Sequence, residues 1–475
     1  MDGLECSEIL LSQLGENSRV DAEYYKKIFL KSSNLLNTEK SIVEIANTTE
    51  LHTNGAFAEV YNILHDGEEG EIPYIRSENV GNFFISGHLE KISRKAHEQL
   101  VYTQTQKNDI LVARTGKIGG ASIITDSWIG CNSNQNVVNI RLFDDHYSAI
   151  LTMIFLNTKY GIAQFVRAST GNVQPWLNLS LLRKVKIPHF GENFTKALEE
   201  QFAMSQAFLE KAQKLYQVAF EMLYAREIEM STQNFSVRTL GDTFKTSGRL
   251  DSEYYHPKYD ALFDFLNKHK TAPLGGSQGL VSIKKSIEPG SEAYLDVGIP
   301  FIRVSDVDKY EISTPTIMLS KDIVPNIEDL YPKKDTILLS KDGSIGIAYK
   351  IEKDMKAVTS GALLHLTVRN TNVVLPDYLT LVLNSPIVQL QAERDCNGAI
   401  IQHWKPSDIE KVLIPVLDMS VQSEIASKVQ ESFRLRAESK RLLDLAVRTV
   451  EMAIEKSEED ALVWLKESIG DLNDR

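Results

Sequence analysis

Two short segments place basic side chains around a glycine at the end of an apolar run. Arg114, Thr115 and Lys117 surround Gly116, and Ser340, Lys341 and Ser344 surround Gly343. Glycine permits a tight turn, and a cation carried there reaches a phosphate oxygen or the edge of a guanine. The plain alternative is a solvated hairpin turn. Gln174 and Gln402 carry amides that suit an adenine edge. Trp176 and Trp404 follow two residues later, with His403 before the second, and offer a face for stacking or bulk for packing. The loop Arg167-Ala-Ser-Thr-Gly-Asn172 is mirrored by Arg394-Asp-Cys-Asn397-Gly398, whose donors suit phosphate or base contact.

Catalytic patterns are missing where they would be easy to see. There is no GxxxxGK[ST], because Gly116-Lys117 lacks the earlier glycine, and no GxGxxG follows an apolar run. No Asn/Asp-Pro-Pro-aromatic tetrapeptide or HExxH occurs, and the ten histidines are scattered. Asp335 with Lys341-Asp342 resembles a nuclease cluster, but the matching first segment has Ala113-Arg114-Thr115. The sequence points to a binding protein, with no metal and no cofactor expected.

These segments sit inside a duplication. Ser18-Arg-Val-Asp-Ala-Glu-Tyr-Tyr25 returns as Gly248-Arg-Leu-Asp-Ser-Glu-Tyr-Tyr255. Ile72-Pro-Tyr-Ile-Arg76 returns as Ile299-Pro-Phe-Ile-Arg303, and Ile110–Ala121 as Ile337–Ala348. Gln174-Pro-Trp176 aligns with Gln402-His-Trp404, and Lys184-Val-Lys-Ile-Pro188 with Lys411-Val-Leu-Ile-Pro415. Five matches in one order, at offsets of 227 to 230 residues, make the chain a tandem repeat.

Each repeat opens strand-rich, since its apolar runs end at glycine. Helical stretches follow at Ala149–Phe165 and Pro376–Glu393. Each repeat closes with a long amphipathic pattern, roughly Thr195–Met230 and Val421–Lys466, free of Gly and Pro. Leu198, Phe202, Leu209, Ala212, Leu215, Ala219 and Met222 make one stripe; Ile425, Val429, Phe433, Leu443, Val447, Val450 and Ile454 make the other. Two such helices pack most simply on each other. A helix of about 36 residues is roughly 54 Å long. The predicted fold is α+β: a tandem duplication of an α/β domain, each followed by a long helix, the two helices pairing as an antiparallel coiled coil. The expected boundaries are 1–190, helix 191–235, 236–417, and helix with tail 418–475. The paired Arg76 and Arg303 are expected to bridge Asp21 and Asp251, and the Tyr-Tyr pairs to pack.

Length and charge fit this picture. The 475 residues exceed the roughly 250–300 that one core serves. The net charge of −12 opposes a generic nucleic-acid coat. It is unevenly spread: residues 1–190 carry 18 basic and 21 acidic side chains and residues 236–417 carry 21 and 23, so the helical segments hold over half the excess. Cys6, Cys131 and Cys396 form neither a CxxC nor an even set, which suits buried thiols in a reducing cytoplasm. The first residues lack the basic and apolar regions of a signal peptide, and no run approaches the roughly 18 apolar residues of a membrane span.

Taken together, the Arg-[Val/Leu]-Asp-x-Glu-Tyr-Tyr opening, the Gly-x-Ile-Gly turn, the Gly…Gln loop, the Lys-Val-x-Ile-Pro strand and the helix after it resemble the specificity subunit of type I restriction-modification systems. The resemblance covers essentially the whole chain, twice. It implies two target recognition domains reading the halves of a split, asymmetric double-stranded DNA sequence. The paired helices would fix the spacing and dock two methyltransferase (modification) subunits, joined by restriction (translocase-nuclease) subunits. Half-sites about 34–36 Å apart would fall on one face of the duplex. The implied DNA contacts are Arg114, Thr115, Gly116, Lys117, Arg167, Asn172, Gln174 and Trp176, then Ser340, Lys341, Gly343, Ser344, Arg394, Asn397, Gln402, His403 and Trp404. The subunit would be cytoplasmic, non-catalytic and without a membrane partner. The acidic charge keeps open a second class, a duplicated protein-interaction scaffold that never touches DNA.

Overall fold

The structure is a computed structural model that describes residues 6–11, 14, 19–38, 42–55, 57–65, 67, 69–81, 83–116, 118–171, 175–223, 228, 235–323, 325–396 and 402–470. The chain divides into two units: residues 1–207 with 438–475, and residues 208–437.

Unit 1 is built on a four-stranded antiparallel sheet in the order Thr49–His52, Val137–Leu142, Ile110–Ala113, Ser122–Ile123. Ile110 faces Ile140 and Val112 faces Val138 across the middle pair, and all four are buried. The central strands are short β-branched runs, the composition that a buried strand needs. A second sheet sets Ile72–Ile75 between Glu90–Ile92, antiparallel, and Asn132–Ser133, parallel. Ile42–Glu44 pairs antiparallel with Lys186–Pro188, so the start and end of the recognition region are tied together.

Unit 2 repeats these three sheets in the same strand order. Its four-stranded sheet runs Val281–Lys285, Leu363–Val368, Ile337–Ser340, Ala348–Lys350. Its three-stranded sheet sets Ile299–Ile302 between Met318–Leu319, antiparallel, and Val358–Thr359, parallel. Thr271–Pro273 pairs with Leu413–Pro415, as the corresponding strands do in unit 1.

The expected helices Ala149–Phe165 and Pro376–Glu393 are each two helices: Ala149–Leu156 with Lys159–Ala168, and Pro376–Leu383 with Pro386–Asp395. Both breaks fall at an asparagine whose side chain holds a backbone pair far along the chain, and in unit 2 Pro386 opens the second helix. The side chain of Asn157 accepts from Ala121 N at 3.1 Å and donates to Ala121 O at 2.9 Å. Asn384, 227 residues on, accepts from Ala348 N at 3.1 Å and donates to Ala348 O at 2.7 Å. Thr158 then caps the second helix of unit 1 through Gly161 N.

The long helices are Glu192–Glu221 and Met419–Glu455, starting 227 residues apart. They pair antiparallel in both units. In unit 1, Gln201 Nε2 donates to Leu442 O at 2.6 Å and Ser205 Oγ donates to Ser439 O at 3.0 Å. Leu198 and Phe202 share the unit 1 core with Leu443, Ala446 and Val450. In unit 2, Ser432 Oγ donates to Ala212 O at 2.7 Å, and Tyr216, Ala219 and Leu223 share a core with Ile425 and Val429. Ser432 is the counterpart of Ser205, and Ala212 that of Ser439, so the same bond occurs once in each unit. Small buried serines let the two backbones approach closely.

Two spans differ from expectation. The first helix stops at Glu221, and most of the expected remainder to Met230 lies outside the described residues. The second does not run to Lys466. It ends at Glu455, and a separate helix Glu458–Gly470 begins. Ser457 Oγ accepts from Asp460 N at 3.1 Å and donates to Asp460 Oδ2 at 2.8 Å, and Glu458, Glu459 and Asp460 fill the first turn. That is a strong helix start, which interrupts the pattern of the helix before it.

Candidate nucleic-acid interface

The glycine turns open directly from the central strands. In unit 1 the strand Ile110–Ala113 runs into Arg114-Thr115-Gly116, and Gly116 has φ +81°. In unit 2 the strand Ile337–Ser340 runs into Lys341-Asp342-Gly343, and Gly343 has φ +75°. Only glycine adopts that left-handed conformation without strain. A Cβ at either position would meet no atom within 4 Å, so glycine serves the backbone conformation rather than close packing.

Each turn is clamped by a later segment in the same way. Thr115 bridges antiparallel to Trp176, with Leu177 N donating to Arg114 O at 2.8 Å. Asp342 bridges antiparallel to His403, with Trp404 N donating to Lys341 O at 2.8 Å and Gly343 N to Gln402 O at 3.0 Å. These bonds correct the expected alignment by one residue. Trp176 corresponds to His403, and Trp404 corresponds to Leu177. A one-residue slip along an extended segment turns every side chain to the other face. Trp176 is accordingly 39% exposed, whereas Trp404 is 1% exposed, in the core with the buried Leu177 as its counterpart. From that position the Trp404 ring cannot stack on a base.

The side chains at the two turns differ in chemistry. The Arg114 guanidinium lies over the Trp176 ring, 4.7 Å from its centre, and donates to Gln135 O at 3.3 Å and Leu177 O at 3.4 Å. Partial burial lowers its pKa from the ordinary arginine value, yet a guanidinium stays charged. In unit 2, Lys341 pairs with Asp342, and His403 Nδ1 lies 2.8 Å from Asp342 Oδ1. Partial burial pushes the Asp342 carboxyl upward, but the Lys341 ammonium and His403 outweigh it and hold the pKa below the usual carboxylate value. Ser344, Gln402 and Gly343 are exposed, and Thr115 is half-buried beside the exposed Gly116.

Three other expected contacts are engaged within the fold. Ser340 is fully buried; its hydroxyl donates to Ser344 O at 2.6 Å and accepts from Ile347 N at 2.9 Å, shaping the turn from inside. Arg167 donates to Tyr24 O at 2.9 Å and Ser33 Oγ at 2.8 Å, and lies 4.1 Å from the centre of the Tyr24 ring. Arg394 bonds Asp395 at 2.8 Å and lies over Tyr254 and Phe263. The expected contacts Lys117, Asn172, Gln174 and Asn397 lie outside the described residues.

The expected pairing of Arg76 and Arg303 with the opening motif is also corrected. Asp21 is taken by Arg19 at 2.7 and 2.8 Å, and Asp251 by Arg249 at 2.8 and 2.6 Å. An arginine two residues away reaches its carboxylate with both nitrogens before a distant one can. Arg76 pairs instead with Glu90 at 2.5 Å, and Arg303 lies 3.6 Å from Asp306. The motif packs as arginine on tyrosine: Arg19 and Arg167 both lie over Tyr24, and Arg249 and Arg394 over Tyr254.

Sequence reasoning missed Asn157 and Asn384. Each grips the first residue after its turn, Ala121 or Ala348, and so fixes the far side of the loop that Gly116 or Gly343 opens. The signal was available as the matched pairs Asn157-Thr158 and Asn384-Ser385. A groove of about 730 Å³ in unit 2 is lined by none of the turn residues. It holds Lys350, which reaches Glu352 at 3.1 Å and Asp377 at 3.2 Å, an ion cluster closed on itself. Among the described residues no group of three or more His, Cys, Asp or Glu side chains could hold a metal ion, and no single helix is long and apolar enough to cross a membrane.

The family model for the type I restriction modification DNA specificity domain matches residues 36–189 and 279–443, well over half of the chain. The chain belongs to that family. Both matched regions contain the glycine turn and its clamp residue 115 or 342, so each target recognition domain carries one copy of the device. Similar solved structures include the S subunit of a type I restriction-modification system from M. genitalium, at 14% identity, 88% of this chain, 95% of that chain and TM-score 0.37. The HsdS subunit from Thermoanaerobacter tengcongensis is 13% identical over 88% of this chain and 97% of that chain, with TM-score 0.30. A third, described by its complex assembly and conformational transition in the type I R-M system, is 13% identical over 86% and 97%, with TM-score 0.27. No curated protein matches the chain. The specificity domain is the DNA-recognition component of its system, and two such domains make this chain a specificity subunit with two target recognition domains.

Proposed function

We propose that this specificity subunit reads a bipartite, asymmetric target on double-stranded DNA, one half with each recognition domain, and carries no active site. The observation that supports this is the repeated clamp: one backbone turn occurs in both units, with Arg114, Thr115 and Trp176 on one and Lys341, Asp342 and His403 on the other. Identical scaffolds with different side chains suit two different half-sites. The contact set is Arg114, Thr115, Gly116 and Trp176, then Lys341, Gly343, Ser344, Gln402 and His403. The antiparallel helices fix the spacing and dock two methyltransferase subunits, restriction subunits join that core, and the assembly works in the cytoplasm.

The net charge of −12 fits a reader that binds DNA well only when assembled, because long-range repulsion opposes the chain alone. The test is sequencing of methylated adenines in cells carrying the complete system. A two-part motif with a fixed gap and unlike halves is expected. Methylation without a motif, or a palindromic one, contradicts the reading.

A further inference from the structure

Position 342 is where the two turns depart most in chemistry. Thr115 and Asp342 occupy the same place in the fold: each follows the basic residue, precedes the positive-φ glycine and bridges the clamp strand at a residue 227 positions from its counterpart. A threonine hydroxyl both donates and accepts, so it tolerates any base edge or a phosphate. An ionised carboxylate only accepts. Close to DNA it is repelled by phosphates, and it is favoured only where base amino hydrogens are offered to it.

We propose that Asp342 reads a cytosine in the half-site of the second recognition domain, accepting a hydrogen bond from the N4 amino group. This rests on the reading of the turns as DNA contacts and names the base that one of them selects. The choice follows from the major-groove edges. Guanine offers two acceptors and thymine an acceptor and a methyl group, so both repel a carboxylate. Adenine has a donor at N6 but an acceptor at N7 beside it. Cytosine alone offers a donor without a neighbouring acceptor.

The neighbours of Asp342 fit that choice. Lys341 Nζ pairs with its carboxylate, and lysine is suited to the O6 and N7 acceptors of guanine. An adjacent acceptor and cation therefore match the two edges of one C·G pair, N4 on the cytosine and O6/N7 on the guanine. His403 holds Asp342 Oδ1 from the clamp strand at 2.8 Å, which fixes the carboxylate in place and leaves lone pairs free, since a carboxylate has about four acceptor positions. The first domain has no acid within its turn, so the same device cannot select cytosine there.

The full chain, assembled with its modification subunits, is mixed with duplexes randomised across both half-sites, and the bound fraction is sequenced. One position of the second half-site is expected to favour cytosine by about tenfold, the size of one good base contact. Asp342→Asn replaces the carboxylate with an amide, which pairs with adenine N6 and N7, and should move that one position from cytosine to adenine. Asp342→Thr, which installs the first domain's residue, should flatten it to within about threefold. All other positions stay as they were. The proposal is overturned if both variants keep the original preference, or if they weaken binding evenly while every position keeps its bias, which would make Asp342 a support for Lys341 and His403. Absence of any preference in the unmodified complex overturns the DNA-reading function itself, a result separable from the other two.

Discussion

The guanidinium of Arg114 lies over the Trp176 ring, 4.7 Å from its centre, and the tryptophan belongs to the strand that clamps the turn. The stack and two carbonyl bonds hold a long flexible side chain in one orientation. On the proposed reading of the turns, a side chain ordered before DNA arrives loses less entropy on binding. The second domain reaches the same end differently, through the Lys341–Asp342–His403 chain of ionic contacts.

Arg114→Ala should weaken DNA binding by the assembled complex while leaving folding intact. If the guanidinium meets a phosphate, the dependence of log affinity on log salt should fall by about one unit; if it reads a guanine, specificity at one first-half-site position should relax by about 1–3 kcal/mol. Arg114→Lys keeps the charge but loses the planar stack, and should recover the salt dependence without the specificity. Titrations at several salt concentrations separate these outcomes, and unchanged affinity and slope would remove the turn from the interface.

The register of the clamp sets opposite fates for two tryptophans. Trp404 is buried in the unit 2 core, and Trp404→Ala should destabilise the protein by about 3–5 kcal/mol. Trp176 is part-exposed, so Trp176→Ala should cost about 1 kcal/mol or less in stability and act on DNA affinity through Arg114. Denaturant unfolding read alongside DNA titration checks both; equal stability losses would restore the alignment of one tryptophan with the other.

Periodicity and repetition made the duplicated fold readable from sequence: apolar runs ending at glycine at the same offset gave the strands and turns, and the two apolar stripes gave the paired helices. What escaped depended on single side chains acting at a distance. Asn157 and Asn384 sit at the breaks in the expected helices and bond a backbone pair far along the chain, which helical patterning does not encode, although Pro386 is a readable stop for the second. Ser457 with Asp460 split another, although its Ser-Glu-Glu-Asp spacing is a readable helix start. Gln-x-Trp looked aligned in both repeats, yet backbone bonds set Trp176 against Thr115 and His403 against Asp342, which makes Trp176 and His403 the counterparts. Arg167 and Arg394, basic residues in polar loops, looked like DNA contacts and are held by the tyrosines of the opening motif.

Asn384→Ala should remove both bonds to Ala348 and leave that backbone pair short of partners, at a cost of about 1–3 kcal/mol in unit 2. Asn157→Ala should do the same in unit 1 through Ala121. Each should also loosen the turn that it brackets, lowering discrimination at one half-site and not the other. Binding selections with each variant, set against denaturant midpoints, test the pairing; loss of stability with both half-sites equally affected would show that the asparagines support the fold without positioning the turns.

Acid should destabilise unit 2 through His365. The ring sits on the strand Leu363–Val368, shares a hydrogen bond with the buried Thr359 hydroxyl at 2.8 Å and faces Lys284 on the neighbouring strand. Burial is the main cause that pushes its pKa down to about 4, and the Lys284 ammonium adds to it. The unfolded chain takes up this proton near pH 6.5, whereas the native ring stays neutral until about pH 4. Stability from this group is therefore complete above about pH 6.5, declines as pH falls through that window and levels off below pH 4, a loss of up to about 3 kcal/mol. The counterpart in unit 1 is Asn139, which faces Leu111 as His365 faces Leu338 and cannot titrate, so the effect belongs to one domain. Unfolding midpoints measured from pH 7.5 to 4 should show a steeper loss for the native protein than for His365→Gln. Parallel pH profiles for the two would mean that other groups carry the acid sensitivity.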